Sequence, residues 1–346
     1  MIDSLTDTTS ATEMSPGRSA PAIEAHDLVK TYGGKVRALD GLSFTVEAGA
    51  IFALLGPNGA GKSTTIKILN TLSRPDSGSA RVAGFDVLRE PGSVRRAIGC
   101  VAQKSGLDLE ATGRENLTLQ GRIYGLRGQQ LKYRVDELLK RFWLTEASDL
   151  VARTYSGGMQ RKLDIAMGLV HRPRVLFLDE PTAGLDPEAR AGLWDDISRL
   201  ANEDGITVLL TTHYLEEADQ LARRLAIVDR GKLVVEGTPD QLKGELLGDA
   251  IHIEFAHQEV ESRVREALNQ SDGLSDIVVE GHSLRSRAAQ GATAVPGMLA
   301  ALETKGLKVA SVKVARPSLD DVYLRYTGRT FDEADQGNQA GQKGAR

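Results

Sequence analysis

Cysteine is almost missing from this chain. Cys100 stands alone among 346 residues, which excludes an intramolecular disulfide framework and a multi-cysteine metal site and fits a reducing compartment. Long apolar runs are missing too. Residues 50–55 and 175–178 are strand-sized, far short of the roughly 20 residues a membrane-spanning helix needs. The first residues lack a secretory pattern: Asp3 and Asp7 stand where positive charge is expected, and no apolar stretch follows. There is no excess of basic charge. Lys and Arg total 43 against 47 Asp and Glu, a formal net charge of −4, so no nucleic-acid partner is expected. His26, His171, His252, His257 and His282 show no metal-ligand spacing. What remains is ample length for one large packed domain, or one large and one small.

The chain divides into four parts. Residues 1–21, rich in Ser and Thr and poor in large apolar residues, read as a disordered tail. From 22 to 248, strand-like runs at 42–46, 51–55, 98–102, 175–178, 207–211 and 225–228 alternate with helical patterns near 62–69, 115–124, 130–142, 157–170, 187–203 and 215–222. That alternation predicts an α/β fold built on a mostly parallel sheet. Hairpin-like runs at 22–46 and 77–82 predict an antiparallel edge. From 250 to 328 the order becomes β-α-β-β-α-β followed by a helix, a small α+β domain. Residues 329–346, with Gly, Gln and charge towards their end, read as a second disordered tail.

The strongest chemical signal is Gly56, Pro57, Asn58, Gly59, Ala60, Gly61, Lys62, Ser63 and Thr64. It fits G-x-x-x-x-G-K-[ST] between an apolar strand and a helix. The glycines let the backbone wrap so that its N–H groups face one centre. The helix N-terminus adds partial positive charge. Lys62 places a full charge on the β and γ phosphates, and Ser63 offers its hydroxyl to Mg²⁺. Downstream, four apolar residues at 175–178 lead into Asp179 and Glu180. Ligands bind at the carboxyl ends of strands in a parallel sheet. Asp179 is expected to hold Mg²⁺ through water beside Ser63, and Glu180 to polarise the attacking water.

Between these halves lie Tyr155, Ser156, Gly157, Gly158, Met159 and Gln160. With them the stretch 22–248 resembles the nucleotide-binding subunits of ATP-binding cassette (ABC) transporters. The resemblance implies a P-loop NTPase cassette with a helical subdomain. It implies that Tyr32 stacks on adenine, although an edge-strand tyrosine is the plain alternative. It gives Gln103 the sensing of Mg²⁺ and the attacking water, with Ala102 where the family carries proline. It makes Ser156, Gly157 and Gly158 the signature that faces the γ-phosphate held by another subunit. Tyr155 and Met159 replace the usual leucine and glutamine. Taken alone, Ser-Gly-Gly is simply a good helix start. Asp186 marks the loop that crosses the dimer interface, and His213 is the switch histidine on the γ-phosphate. Glu115 matches a stretch near the membrane subunit, or is an ordinary helix N-terminus.

Residues 316–328, Arg-Pro-Ser-Leu-Asp-Asp-Val-Tyr-Leu-Arg-Tyr-Thr-Gly, are similar to the ending of the daunorubicin/doxorubicin-resistance ATP-binding proteins. The resemblance therefore implies an ATPase subunit that uses ATP and Mg²⁺, pairs head to tail with a second copy, and drives an integral membrane permease from the cytoplasmic face. The implied cargo is a drug, antibiotic or lipid-like compound. The alternative is a soluble cassette ATPase acting on the ribosome or another non-transport machine. Ribosomal versions usually carry two cassettes, whereas this chain has a single P-loop.

Overall fold

The computed structural model describes residues 20–246, 248–258, 260–268, 273–331 and 333–335. Of the tail expected at 1–21, all but Ala20 and Pro21 lies outside these residues, as does everything after 335.

The chain opens with the hairpin β1 (Ile23–Tyr32) and β2 (Val36–Val46), then β3 (Ile51–Leu55) and α1 (Lys62–Leu69). Next come β4 (Ser77–Val82), β5 (Phe85–Asp86), α2 (Pro91–Ala97) and β6 (Ile98–Val101). A helical section follows: α3 (Gly113–Ile123), α4 (Gly128–Arg141) and α5 (Gly157–Gly168). The chain returns through β7 (Val175–Asp179), α6 (Pro187–Asn202), β8 (Thr207–Thr212), α7 (Leu215–Leu221), β9 (Arg224–Asp229), β10 (Lys232–Gly237) and α8 (Pro239–Gly244). It ends in β11 (Asp249–Phe255), α9 (Glu261–Leu268), β12 (Leu274–Glu280), β13 (Ser283–Ala288), α10 (Gly291–Thr304), β14 (Val309–Ala315) and α11 (Leu319–Thr327).

The central sheet runs β10-β9-β3-β8-β7-β6. All its pairings are parallel except β9–β10 at the edge. Strands β3, β7, β8 and β9 carry unbroken apolar runs because both faces are covered there. Alternate residues go to opposite cores, as the period of two demands. Ile51, Ala53 and Leu55 enter the core formed with the helices, while Phe52 and Leu54 enter the core formed with β1, β2 and β4. The antiparallel strands do more than edge the parallel sheet. β2-β1-β4-β5 form a sheet of their own, packed over α1 and the central strands through Ile23, Leu28, Leu39, Leu42, Ile66 and Ile68.

The C-terminal sheet, β12-β13-β11-β14, is wholly antiparallel, and α9 and α10 fill its core with Val264, Leu268, Met298 and Leu302. The last helix packs elsewhere. Leu319, Val322 and Tyr323 lie on one face of α11 and join the cassette core. The sequence reading groups this helix with the small domain and assigns 329–346 to a disordered tail. Yet Phe331 and Ala334 are buried in the same core, with the Phe331 ring edge-on to Tyr323 at 4.9 Å. Two apolar residues in a charged segment enter this core because the receiving surface is already apolar.

Candidate active site

The phosphate loop follows directly from the buried strand β3. Gly61 has φ 108°, and a Cβ there would stand 2.5 Å from the Ala38 carbonyl oxygen. At Gly56 a Cβ would meet the Val228 carbonyl oxygen at 2.2 Å. Both glycines are thus required by close backbone approach, and Gly61 also by its left-handed turn. Lys62, the first residue of α1, is 5% exposed. Its Nζ donates to the carbonyls of Gly56 and, at 3.1 Å, of Pro57. Burial lowers its pKa, against the opposing charges of Glu180, Asp179 and Asp335.

Asp179 ends β7 beside this loop, and Glu180 follows it. Ser63 Oγ donates to Asp179 Oδ1 at 3.3 Å, and the neighbouring strand β8 sends the Thr211 hydroxyl to the same oxygen. Glu180 takes a left-handed backbone, φ 47°, a conformation that costs a non-glycine residue free energy and persists only where its surroundings enforce it. Here the Glu180 N–H is held by Thr211 Oγ1 at 3.1 Å.

Three side chains converge on the Glu180 carboxylate. Gln103 Nε2 donates to Oε2 at 2.8 Å, Lys62 Nζ stands 4.0 Å from Oε1, and His213 Nδ1 lies 3.3 Å from Oε1 at ion-pairing distance, without hydrogen-bond alignment. Proximity to His213 is the largest influence holding this carboxyl below its ordinary range. Burial opposes it, and Lys62 and the Gln103 amide act with it. A cleft of about 270 Å³ is lined by residues 58–64, Glu180 and Tyr32, and Tyr32 is 40% exposed.

The other candidates stand at the starts of helices α5, α6 and α3. Ser156 caps α5, accepting from Met159 N–H at 3.2 Å. Ser156 and Gly157 are exposed, and among the described residues no hydrogen bond or ion pair links Ser156, Gly157 or Gly158 to Lys62 or Glu180. Asp186 caps α6 through a bond from Ala189 N–H at 2.9 Å. A Cβ on Gly157 would touch Leu185 at 3.5 Å, so the two loops adjoin. Tyr155 is buried and donates to the Ala147 carbonyl at 2.6 Å. Gly113 makes room for it, since a Cβ there would fall 2.2 Å from the Tyr155 hydroxyl. Glu115 closes a reciprocal cap with Thr112 at the start of α3.

Sequence reasoning missed two residues. One is Thr211, described above. The other is Arg161, buried on α5, whose guanidinium donates to the carbonyls of Pro181 and Ala102 at 2.7 Å each, of Asp179 at 3.0 Å and of Glu180 at 3.3 Å. It thereby ties the start of the Gln103 loop to the end of β7. Nothing local marks it, because an arginine at 161 inside a helix reads as solvated.

Residues 39–183 match the family model described as ABC transporter, and residues 237–327 match the C-terminal domain of ATP-binding proteins of the DrrA1-3 type. The daunorubicin resistance ATP-binding protein DrrA2 of Streptomyces coeruleorubidus is 42% identical over 91% of this chain and 97% of its own length. The daunorubicin/doxorubicin resistance ATP-binding protein DrrA of Streptomyces peucetius is 44% identical over 90% of this chain and 94% of its own. Among solved structures, the dimeric post-hydrolysis state of the ATP-binding cassette MJ0796, bound to ADP and Pi, superposes with a TM-score of 0.57 at 28% identity, covering 62% of this chain and 98% of that one.

Proposed function

The chain belongs to the ATP-binding subunits of ABC transporters, in the branch of the drug-resistance ATP-binding proteins, and on that footing we propose how it works as the ATPase of an exporter. The observation that carries the mechanism is the convergence of Lys62, Gln103 and His213 on Glu180. ATP lies in the cleft with its adenine on Tyr32 and its phosphates in the loop from Gly56 to Thr64. Lys62 exchanges its loop carbonyls for phosphate oxygens. Glu180, ionised and oriented by His213 and Gln103, accepts a proton from the attacking water. His213 contacts the γ-phosphate.

Mg²⁺ fits the residues present. The Ser63 hydroxyl and the Asp179 carboxylate are hard oxygen donors 3.3 Å apart. Among the described residues no group of three or more His, Cys, Asp or Glu forms an all-protein cage. This suits a cation usually held by one or two carboxylates and substrate phosphates. Ser63, Asp179 and Gln103 would hold it, and when bound it neutralises charge on the phosphates.

Two copies pair head to tail, with Ser156, Gly157 and Gly158 of one closing the site of the other and Asp186 marking the crossing loop. The exposure of Ser156 and Gly157, which make no hydrogen bond to Lys62 or Glu180 among the described residues, supports this, as does the dimeric form of MJ0796. A helix N-terminus carrying small residues is suited to an approaching phosphate. The cassette spans 22–248 and the α+β domain 250–328, with α11 bridging them.

No helix among the described residues is long and apolar enough to cross a membrane, and we place the working chain at the cytoplasmic face on an integral membrane permease. Leu109, Leu119 and Ile123 are exposed at and beside the outer face of α3 and offer that partner an apolar contact. The resistance relatives, matched along nine-tenths of this chain, support a drug, antibiotic or lipid-like hydrophobic cargo, and they give no support to a ribosomal role. The test is co-purification of the tagged chain from native membranes in mild detergent with ATP present. A stoichiometric protein with several spanning helices is expected. Ribosomal proteins in its place would overturn the transport reading.

A further inference from the structure

Beyond α11 the chain turns back over the cassette. Gly328 ends the helix with φ 73°. Arg329 Nη2 then binds both Asp229 carboxylate oxygens, at 2.9 and 2.7 Å. Thr330 and Glu333 cap one another: Thr330 N–H donates to Glu333 Oε2 at 2.9 Å, and Glu333 N–H donates to Thr330 Oγ1 at 3.3 Å. Phe331 and Ala334 are buried. These clamps deliver one carboxylate to the phosphate loop, where Asp335 Oδ1 accepts from the Asn58 N–H at 2.8 Å.

Asn58 lines the same cleft as Lys62, Ser63 and Glu180, and the Asp335 charge is felt at Lys62. The P-loop N–H groups and their lysine are built to receive phosphate oxygens. A carboxylate there is an anion in a phosphate's place. The Asn58 N–H cannot serve both fully, and two anions in one partly buried cleft repel. Asp320 ties the same segment to the C-terminal sheet, accepting from Phe331 N–H at 3.4 Å and from Arg285 Nη1 at 2.9 Å.

We propose that residues 329–331 and 333–335 form an autoinhibitory strap, whose Asp335 carboxylate competes with nucleotide phosphate for the P-loop so that ATP loads only as the strap lifts. This rests on the reading of residues 56–64 as the ATP site. Through Asp320 and Arg285 the strap also couples ATP loading to the position of the C-terminal sheet.

The experiment measures ATP affinity by calorimetry for the full chain and for Asp335→Ala and Asp335→Asn, together with hydrogen exchange of the strap with and without ATP. Losing a charge-assisted bond and a competing anion should tighten ATP binding roughly tenfold in Asp335→Ala. Asp335→Asn should fall between the two. ATPase rates should separate at low ATP and converge at saturation, and strap amides should exchange faster once ATP is bound. Equal ATP affinity in all three chains, or undiminished strap protection with ATP bound, would overturn the strap. ATP binding to none of the three would remove the P-loop reading itself and the strap with it.

Discussion

Gln103 and Glu180, separated by 77 residues in the chain, meet at 2.8 Å, with the amide Nε2 donating to the carboxylate Oε2. The bond ties the loop after β6 to the residue after β7, and those two strands are parallel neighbours. Any movement of the Gln103 loop is therefore felt at the carboxylate.

Replacing that carboxylate by its amide separates binding from chemistry. Glu180→Gln keeps the shape of the site and loses the proton acceptor. ATP binding should persist, hydrolysis should fall about 10²-fold or more, and an ATP-bound dimer should accumulate. Phosphate release and size-exclusion chromatography check this. Near-normal turnover would remove Glu180 as the base.

The pH profile should report the Glu180 carboxyl. Glu180 is held below its ordinary 4.5 with His213 as the largest cause. A depressed carboxyl adds stability that is present above its unfolded value and is lost as the pH falls through the folded value. His213→Ala removes that cause, so the acid limb of kcat/KM should move to higher pH, and the acid-unfolding midpoint should move with it. An unmoved limb assigns it to another group.

Arg161 acts by positioning. Arg161→Ala deletes donors to four backbone carbonyls and should cost about 2–4 kcal/mol in unfolding free energy. Its kinetic mark should be a kcat that falls more than ATP affinity, because Ala102, Asp179 and Glu180 are no longer tied together. Arg161→Lys keeps the charge without the planar fork and should recover only part. Equal losses in kcat and affinity would reduce Arg161 to general packing.

Tyr155 and Gly113 should be coupled. A methyl group at 113 would fall 2.2 Å from the Tyr155 hydroxyl, so Gly113→Ala should destabilise by about 1–3 kcal/mol. In a Tyr155→Leu background that penalty should vanish, and chemical denaturation of the four chains of a double-mutant cycle measures the difference. An additive cycle would show that the hydroxyl does not set the residue at 113.

Much of the fold was written locally. The strand at 51–55 and the helix at 62–69 are observed with the bounds read from the sequence, since an apolar run and a P-loop punctuate each other. The β-α-β-β-α-β order after 250 is likewise present in the elements from β11 to β14. The run 77–82 was read as hairpin-like, but periodicity says nothing of which sheet an edge strand joins, and it lies in a sheet separate from the parallel one.

The sequence by itself determined the residue types and spacings of the phosphate loop, the acidic pair after an apolar strand, and the alternation that makes an α/β cassette. These are short-range patterns in which neighbours in the chain are neighbours in space. Only the tertiary structure decided that Gln103, Lys62 and His213 share one carboxylate, that Arg161 binds carbonyls from two strand ends, and that Asp335 reaches Asn58 across 277 residues. Those contacts depend on sheet register and on which apolar surface receives a returning segment, and no local pattern of residues encodes either.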